Sequence, residues 1–198
     1  VVRDNNQINY RGQIVARTDR GIDSLKDLND KSIAYVDPSS TSGYILPKAL
    51  LDEKGIKPLE VVFGMKHDNV ITMVYQGQVD AGATYYAPPD PKTGKILDAR
   101  MRVQTQFPDV EKKVKIIALT DEIPNDPIVF RKDLPEEMKK KIVDAMIKFV
   151  STPKGQEAMY KIYDIRNLIP AKDSDYNVLR DKLKKLNINV SEHVKWHY

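Results

Sequence analysis

The sequence predicts a mixed α/β fold built on a mainly parallel sheet. Three observations carry this. Short β-branched runs alternate with stretches whose apolar residues recur at helical spacing, glycines close those stretches at Gly55 and Gly77, and the final third turns wholly helical.

Taken in order, Arg11 to Arg17 holds the β-branched pair Ile14 and Val15 expected of a strand, and a polar turn through Gly21 follows it. Ser24 is placed to N-cap a short helix, Leu25 to Leu28. Ser32 to Val36 is an apolar run that fits a buried strand, and it leads directly into Asp37-Pro38-Ser39-Ser40-Thr41-Ser42-Gly43. Ile45, Leu46, Ala49, Leu50 and Leu51 then predict a helix that stops at Gly55. Leu59 to Phe63 is a second strand and His67 to Gln76 a second helix, with Val70, Ile71, Met73 and Val74 on its apolar face. Val79 to Thr84 predicts another strand, running out at Tyr85 and Tyr86. After a loop rich in proline and glycine, Leu97 to Phe107 is weakly helical. Val114 to Leu119 and Ile128 to Arg131 read as strands joined by a turn from Asp121 to Pro127. Pro135 stands where a proline at the first helical position belongs, ahead of the stripe Met138, Ile142, Ala145, Met146, Phe149 and Val150. Pro153 and Asp173 open two further helices, to Tyr163 and Leu186.

Composition narrows the function classes. At 198 residues, with 41% apolar and 30% charged residues and no long polar tract, the chain can bury a sizeable core, as one large domain or two small ones. The net charge of +4 arises from 32 basic and 28 acidic residues interleaved along the chain, which argues against a nucleic-acid or membrane partner. With no cysteine there is no disulfide, thiolate metal site or cysteine nucleophile. No phosphate-binding glycine loop, metal-spaced His/Asp cluster or Gly-x-Ser-x-Gly turn is present. His193 and His197 fall in the tail, which leaves His67 as the one candidate base and makes catalysis an unsupported reading. No apolar run reaches the length of about 18 residues that spans a bilayer. The opening Val1-Val2-Arg3-Asp4 reads as the tail of an element already under way, so a cut N-terminus is expected.

The serine-rich loop is the clearest candidate for chemistry. A strand that delivers Ser40, Thr41 and Ser42 to the start of a helix sets hydroxyls beside free backbone N–H groups, where the helix dipole favours negative charge and a tetrahedral oxyanion can bind. The same residues also fit a plain N-cap and turn. His67-Asp68 opens the next helix and could present an imidazole to the same cleft, with Asp68 as cap; surface capping alone fits it too. An imidazole beside an oxyanion would make binding depend on pH around neutrality.

Read together, these pieces resemble a known family. Ser24-Leu25-Lys26-Asp27-Leu28, Tyr35 to Tyr44 with Pro47, His67-Asp68, Gly77 with Val79-Asp80-Ala81-Gly82-Ala83, and Ile123 to Val129 with Arg131-Lys132-Asp133-Leu134 are similar to the phosphate-, phosphite- and phosphonate-binding receptors of ABC transporters. The likeness runs from residue 10 to about residue 165. It implies an α/β periplasmic-binding-protein fold, with one nearly complete doubly wound lobe and part of a second. On that reading residues 1–17 cross from a missing first lobe, 18–115 form the ligand-binding lobe, and 116–198 supply the return strand and the C-terminal helices of the first lobe.

The resemblance further implies that Ser40, Thr41 and Ser42 hold the phosphonyl oxygens and that His67 adds a contact. Asp126 would face an aminoalkyl group, although Asn125-Asp126-Pro127 also fits an Asx turn. Thr84, Tyr85 and Tyr86 stand where some members carry an acidic residue. An aromatic wall including Tyr86 would suit a short alkyl phosphonate, phosphite or phosphate, and packing at a sheet end fits as well. The implied protein is a non-catalytic receptor, without cofactor or metal, that serves a membrane permease from the periplasm or an anchored extracellular position. A sensory domain of the same fold is the alternative. With half the cleft missing, the chain is expected to bind more weakly than an intact receptor and to expose apolar surface that favours self-association.

Overall fold

The structure, a computed structural model, describes residues 1–189; His193 and His197 lie outside the described residues. Five strands, β1 (Asn9–Arg17), β2 (Ser32–Tyr35), β3 (Glu60–Phe63), β4 (Ala81–Tyr86) and β5 (Val114–Pro124), alternate with helices α1 (Leu46–Glu53), α2 (His67–Gln76) and α3 (Val110–Lys113). Helices α4 (Glu136–Val150), α5 (Pro153–Tyr163) and α6 (Asn177–Lys185) complete the chain. It divides into two compact units, one of Val1–Asn9 with Pro124–Asp175, the other of Tyr10–Ile123 with the residues from Tyr176 onward.

The larger unit is organised by one sheet of order β3-β2-β4-β1-β5. β2 pairs in parallel with both β3 and β4, as strand-helix-strand connections require, whereas β1 runs antiparallel to β4. Thr18 N donates to Lys113 O and Asn125 N to Ile8 O, so β5 runs against β1 and points with the other three strands. The alternation of side chains along each strand feeds two cores. Ile14, Ala16, Ile33 and Tyr35 pack with Leu28, Leu51 and Ile56 on one face. Val15, Ala34 and Val36 pack with Val70, Ile71 and Val74 of α2 on the other. Helices therefore cover both faces, the doubly wound arrangement. α6 docks by Lys182, whose Nζ lies 2.7 Å from Glu53 and 3.2 Å from Asp121.

In the smaller unit Val2 N bonds Asn167 O and Arg166 N bonds Val2 O, each at 2.8 Å. Asp4 ties the same region together, accepting from Arg166 Nε at 2.5 Å and from the Tyr160 hydroxyl at 3.2 Å. Of the α4 stripe only Val150 is fully buried. Ile142, Ala145, Met146 and Phe149 line, with Met159 and Leu168, an apolar groove of about 280 Å³.

Four local expectations are corrected. Asp121 to Pro124 is not a turn but the end of β5: Arg11 donates to Thr120 O and to Glu122 Oε1, both at 2.9 Å, so pairing with β1 overrides the turn propensity of these polar residues. Ile128 to Arg131 is not a strand; among the described residues no strand pairs with it, and Val129 stays 74% exposed. The helical signal at Leu97 to Phe107 contracts to a 3₁₀ turn, Ala99–Val103, capped by the Asp98 side chain. Pro135 is the cap of α4 rather than its first helical residue.

Candidate functional site

The sheet order locates the site. β2 passes through α1 to β3 on one side, while the chain leaving β4 continues to β5 on the other, so the connections diverge at the carboxyl ends of neighbouring strands β2 and β4. In open α/β sheets that crevice is where ligands bind. The serine-rich loop leaves β2 there.

Within the loop each hydroxyl has a distinct place. Ser39 is committed to Asp37, whose Oδ1 accepts from both its N and its Oγ. Ser40 caps the helix: its Oγ accepts from Gly43 N at 3.1 Å, and its carbonyl takes the N–H groups of Tyr44 and Ile45, each at 3.0 Å. The bond to Ile45 spans five residues, so the helix begins as a wide π-type turn, Thr41–Ile45, before α1. Among the described residues no hydrogen bond involves the Thr41 and Ser42 hydroxyls or their backbone N–H groups. Four donors thus lie at a helix start, with Ser42 buried and Thr41 half-buried.

The surroundings hold this shape. Tyr44 packs edge-on to Tyr35, ring centroids 5.0 Å apart, and lies 5.5 Å from Phe63. β1 reaches the loop at Gly12, where an added Cβ would lie 2.8 Å from Ser42 O and 2.9 Å from Thr120 Cγ2. Gly43 is equally constrained, since a Cβ there would lie 2.4 Å from Val36 Cγ2 and 2.8 Å from Ser40 Oγ. Gly43→Ala is expected to destabilise the protein by roughly 1–3 kcal/mol, the usual cost of overpacking, and to displace the cap; urea midpoints would check this, and an unchanged midpoint would contradict it.

His67 opens α2 two residues after a turn joined to β2, where Gly64 N bonds Tyr35 O and Met65 N bonds Val36 O, both at 2.8 Å. Its ring stands edge-on to Tyr85 at 4.9 Å, and its Nδ1 is buried without a hydrogen-bond partner. Asp68 does not cap the helix; it sits in the first turn and accepts from Asn69 N at 3.1 Å. Burial, then the nearby Arg102 charge, lowers the His67 pKa to about 4, against partial opposition from Asp37 and Asp68. The imidazole is therefore neutral at neutral pH, and the expected pH dependence moves to the acid side. Between its ordinary value of 6.5 and about 4, folded His67 binds fewer protons than the unfolded chain, so stability falls as the pH drops through that window. The effect should amount to roughly 1–3 kcal/mol after discounting for the ring's partial solvent contact. His67→Gln should remove most of it, as read from urea midpoints at neutral pH and near pH 4; an equal acid loss in the variant would count against this origin.

Ser40, Thr41, Ser42 and His67 thus all lie in the larger unit, on the loop after β2 and at the start of the helix whose preceding turn bonds the end of that strand. Asp126 belongs to the smaller one, exposed, with Arg3 Nη2 3.4 Å from its carboxylate. Tyr86 ends β4 opposite Arg11, half-buried; the ring against His67 is that of Tyr85. Arg102 joins the group unforeseen. Its Nε donates to the Tyr85 hydroxyl at 3.0 Å and its guanidinium carbon lies 5.3 Å from the Tyr85 ring centre. No spacing rule links residues 67, 85 and 102; only the folded sheet does. A buried polar chain was also missed: Gln13 Nε2 donates to Thr84 Oγ1 at 3.1 Å, and Arg100 clamps Asp98 through Nε at 3.0 Å and Nη2 at 2.7 Å.

A family model described as ABC transporter, phosphonate, periplasmic substrate-binding protein matches residues 1–176. The chain belongs to this family. A phosphonates-binding periplasmic protein of Escherichia coli is 27% identical over 160 residues, which cover 77% of this chain and 44% of that protein. This phosphonate-binding family member therefore spans less than half the length of that curated relative. Its fold matches a binding-protein component of an ABC phosphonate transporter from Pseudomonas aeruginosa, with a TM-score of 0.72 and 22% identity over 96% of this chain and 62% of that one. It also matches PhnD1 from Prochlorococcus marinus, solved in complex with methylphosphonate, with a TM-score of 0.70 and 19% identity over 94% of this chain and 70% of that one. Both likenesses place the family member among the periplasmic binding proteins by fold.

Proposed function

We propose that this chain carries the oxyanion-binding wall of a solute receptor that captures a phosphonate, phosphite or phosphate ion in the periplasm and hands it to an ABC permease. The observation that carries the reading is the set of uncommitted donors at Thr41 and Ser42, held at the divergence of β2 and β4, with the neutral imidazole of His67 opening α2. Tetrahedral oxygens of the ligand would take the two backbone N–H groups and two hydroxyls. Ser40, whose oxygen already accepts from Gly43 N, keeps its hydroxyl hydrogen to donate. His67 would donate one further N–H. No bond is made or broken; the work of the site is capture of the ion.

Family membership and the methylphosphonate complex of the Prochlorococcus protein support this ligand class. The test is calorimetric titration of the intact protein with methylphosphonate, 2-aminoethylphosphonate, phosphite, phosphate and sulfate. Binding of at least one phosphorus oxyanion in preference to sulfate is expected; no heat from any phosphorus oxyanion would reject the function.

A further inference from the structure

The wide turn that opens α1 interrupts its own hydrogen-bond series. Ser40 O accepts from Ile45 N and Thr41 O from Leu46 N, each donor five residues on. The next donor in that series would belong to Pro47, which has no N–H, so the series breaks at Ser42 O. The peptide that carries this oxygen also carries Gly43 N, which donates to Ser40 Oγ at 3.1 Å. Whatever packs behind Ser42 O therefore bears on the Ser40 hydroxyl as well.

What packs there is β1. Gly12 comes so close that an added Cβ would lie 2.8 Å from Ser42 O, 2.9 Å from Thr120 Cγ2 and 3.2 Å from Thr120 Oγ1. Its φ is not positive, so space rather than backbone conformation demands glycine here. Nor is Gly12 free to recede from the loop. Its N–H donates to Thr120 Oγ1 at 2.8 Å, and that hydroxyl, on a side chain buried in β5, donates to Asp121 O at 2.8 Å.

We propose, resting on the function set out above, that Gly12 and Thr120 are positioning residues of the oxyanion loop. The bare Cα of Gly12, backed by Thr120, fixes the Ser42–Gly43 peptide and with it the donors at Ser40 and Ser42. A methyl group at residue 12 would press on Ser42 O, swing that peptide and draw Gly43 N away from the Ser40 cap. The two residues thereby set affinity through the loop, without themselves donating to the ligand.

The experiment measures methylphosphonate affinity for the intact wild-type protein, Gly12→Ala, Thr120→Ser and the double variant, with amide hydrogen exchange on the ligand-free proteins. Gly12→Ala should weaken binding roughly tenfold, about the worth of one hydrogen bond to a charged acceptor. The double variant moves one methyl group from residue 120 to residue 12 at nearly constant volume, so it should recover most of the loss. Exchange at Gly43 N should quicken in Gly12→Ala relative to exchange at Leu59 N, which bonds Lys31 O at 2.9 Å on the far side of the sheet. A merely structural role would quicken both alike. If wild type binds methylphosphonate and folded Gly12→Ala binds it equally well, this inference alone is overturned. Should Gly12→Ala not fold, Thr120→Ser decides: withdrawing the methyl behind Gly12 should lower affinity by less and quicken Gly43 exchange, and no change in either overturns the inference. If wild type binds no phosphorus oxyanion, the proposed function falls and takes the inference with it.

Discussion

Thr41→Val combined with Ser42→Ala is expected to lower oxyanion affinity at least a hundredfold while leaving the melting behaviour close to wild type. Among the described residues neither side-chain hydroxyl has a hydrogen-bond partner, so on the proposed function removing them takes away contacts to the ligand and none to the protein. Each hydrogen bond to a charged acceptor is worth about 1.5–3 kcal/mol, and two together give the stated loss. Ser40 behaves differently. Its oxygen caps Gly43 N, so Ser40→Ala adds a stability loss of about 1 kcal/mol. A variant carrying all three changes would therefore mix two effects, and the double change isolates binding. Calorimetry and a urea midpoint on the same samples decide the matter: unimpaired affinity would show that the wrong loop has been assigned.

Arg100→Met should be the most destabilising single change, by about 3–5 kcal/mol, because it leaves the Asp98 carboxylate buried without its partner. Asp98 is 1% exposed and keeps only the Arg100 backbone N–H at 2.9 Å and the more distant Gln13 amide at 3.4 Å. The same change cuts the bond to Val114 O and so loosens the start of β5. Adding Asp98→Asn retains a cap on the 3₁₀ turn and removes the stranded charge, so the double variant should recover a good part of the loss. Chemical denaturation of the two proteins tests this; a double variant less stable than Arg100→Met would refute the explanation.

Local rules made much of this molecule legible. α2 and α5 fall at the residues that helical periodicity and the Gly77 and Pro153 signals indicate, and the order of strand, loop and helix around Ser40 is reproduced. Where long-range pairing decides, local signals mislead. Asp121-Glu122 carries turn-forming residues yet lies in a strand because β1 offers it partners, and Ile128 to Arg131 has β-branched residues but nothing to pair with among the described residues. The site divides in the same way. Ser40 to Ser42 and His67 announce themselves through spacing to a helix start. Arg102 and Tyr85 do not, since their meeting depends on how β4 and the 3₁₀ turn pack. The direction of the His67 shift was hidden for a related reason: composition says nothing of burial, and burial is its largest cause.

The place of β1 in the sheet has a kinetic side. It precedes the other four strands in this sequence but lies between β4 and β5, and its contacts join residues 71 positions apart at Gln13 and Thr84 and 108 apart at Gly12 and Thr120. β2, β3 and β4, by contrast, are linked in succession through α1 and α2. The entropy of closing a loop grows only with the logarithm of its length, whereas folding slows steeply as contacts become less local. Threading the strand that braces Ser42 into the middle of the sheet therefore costs this fold time far more than it costs stability.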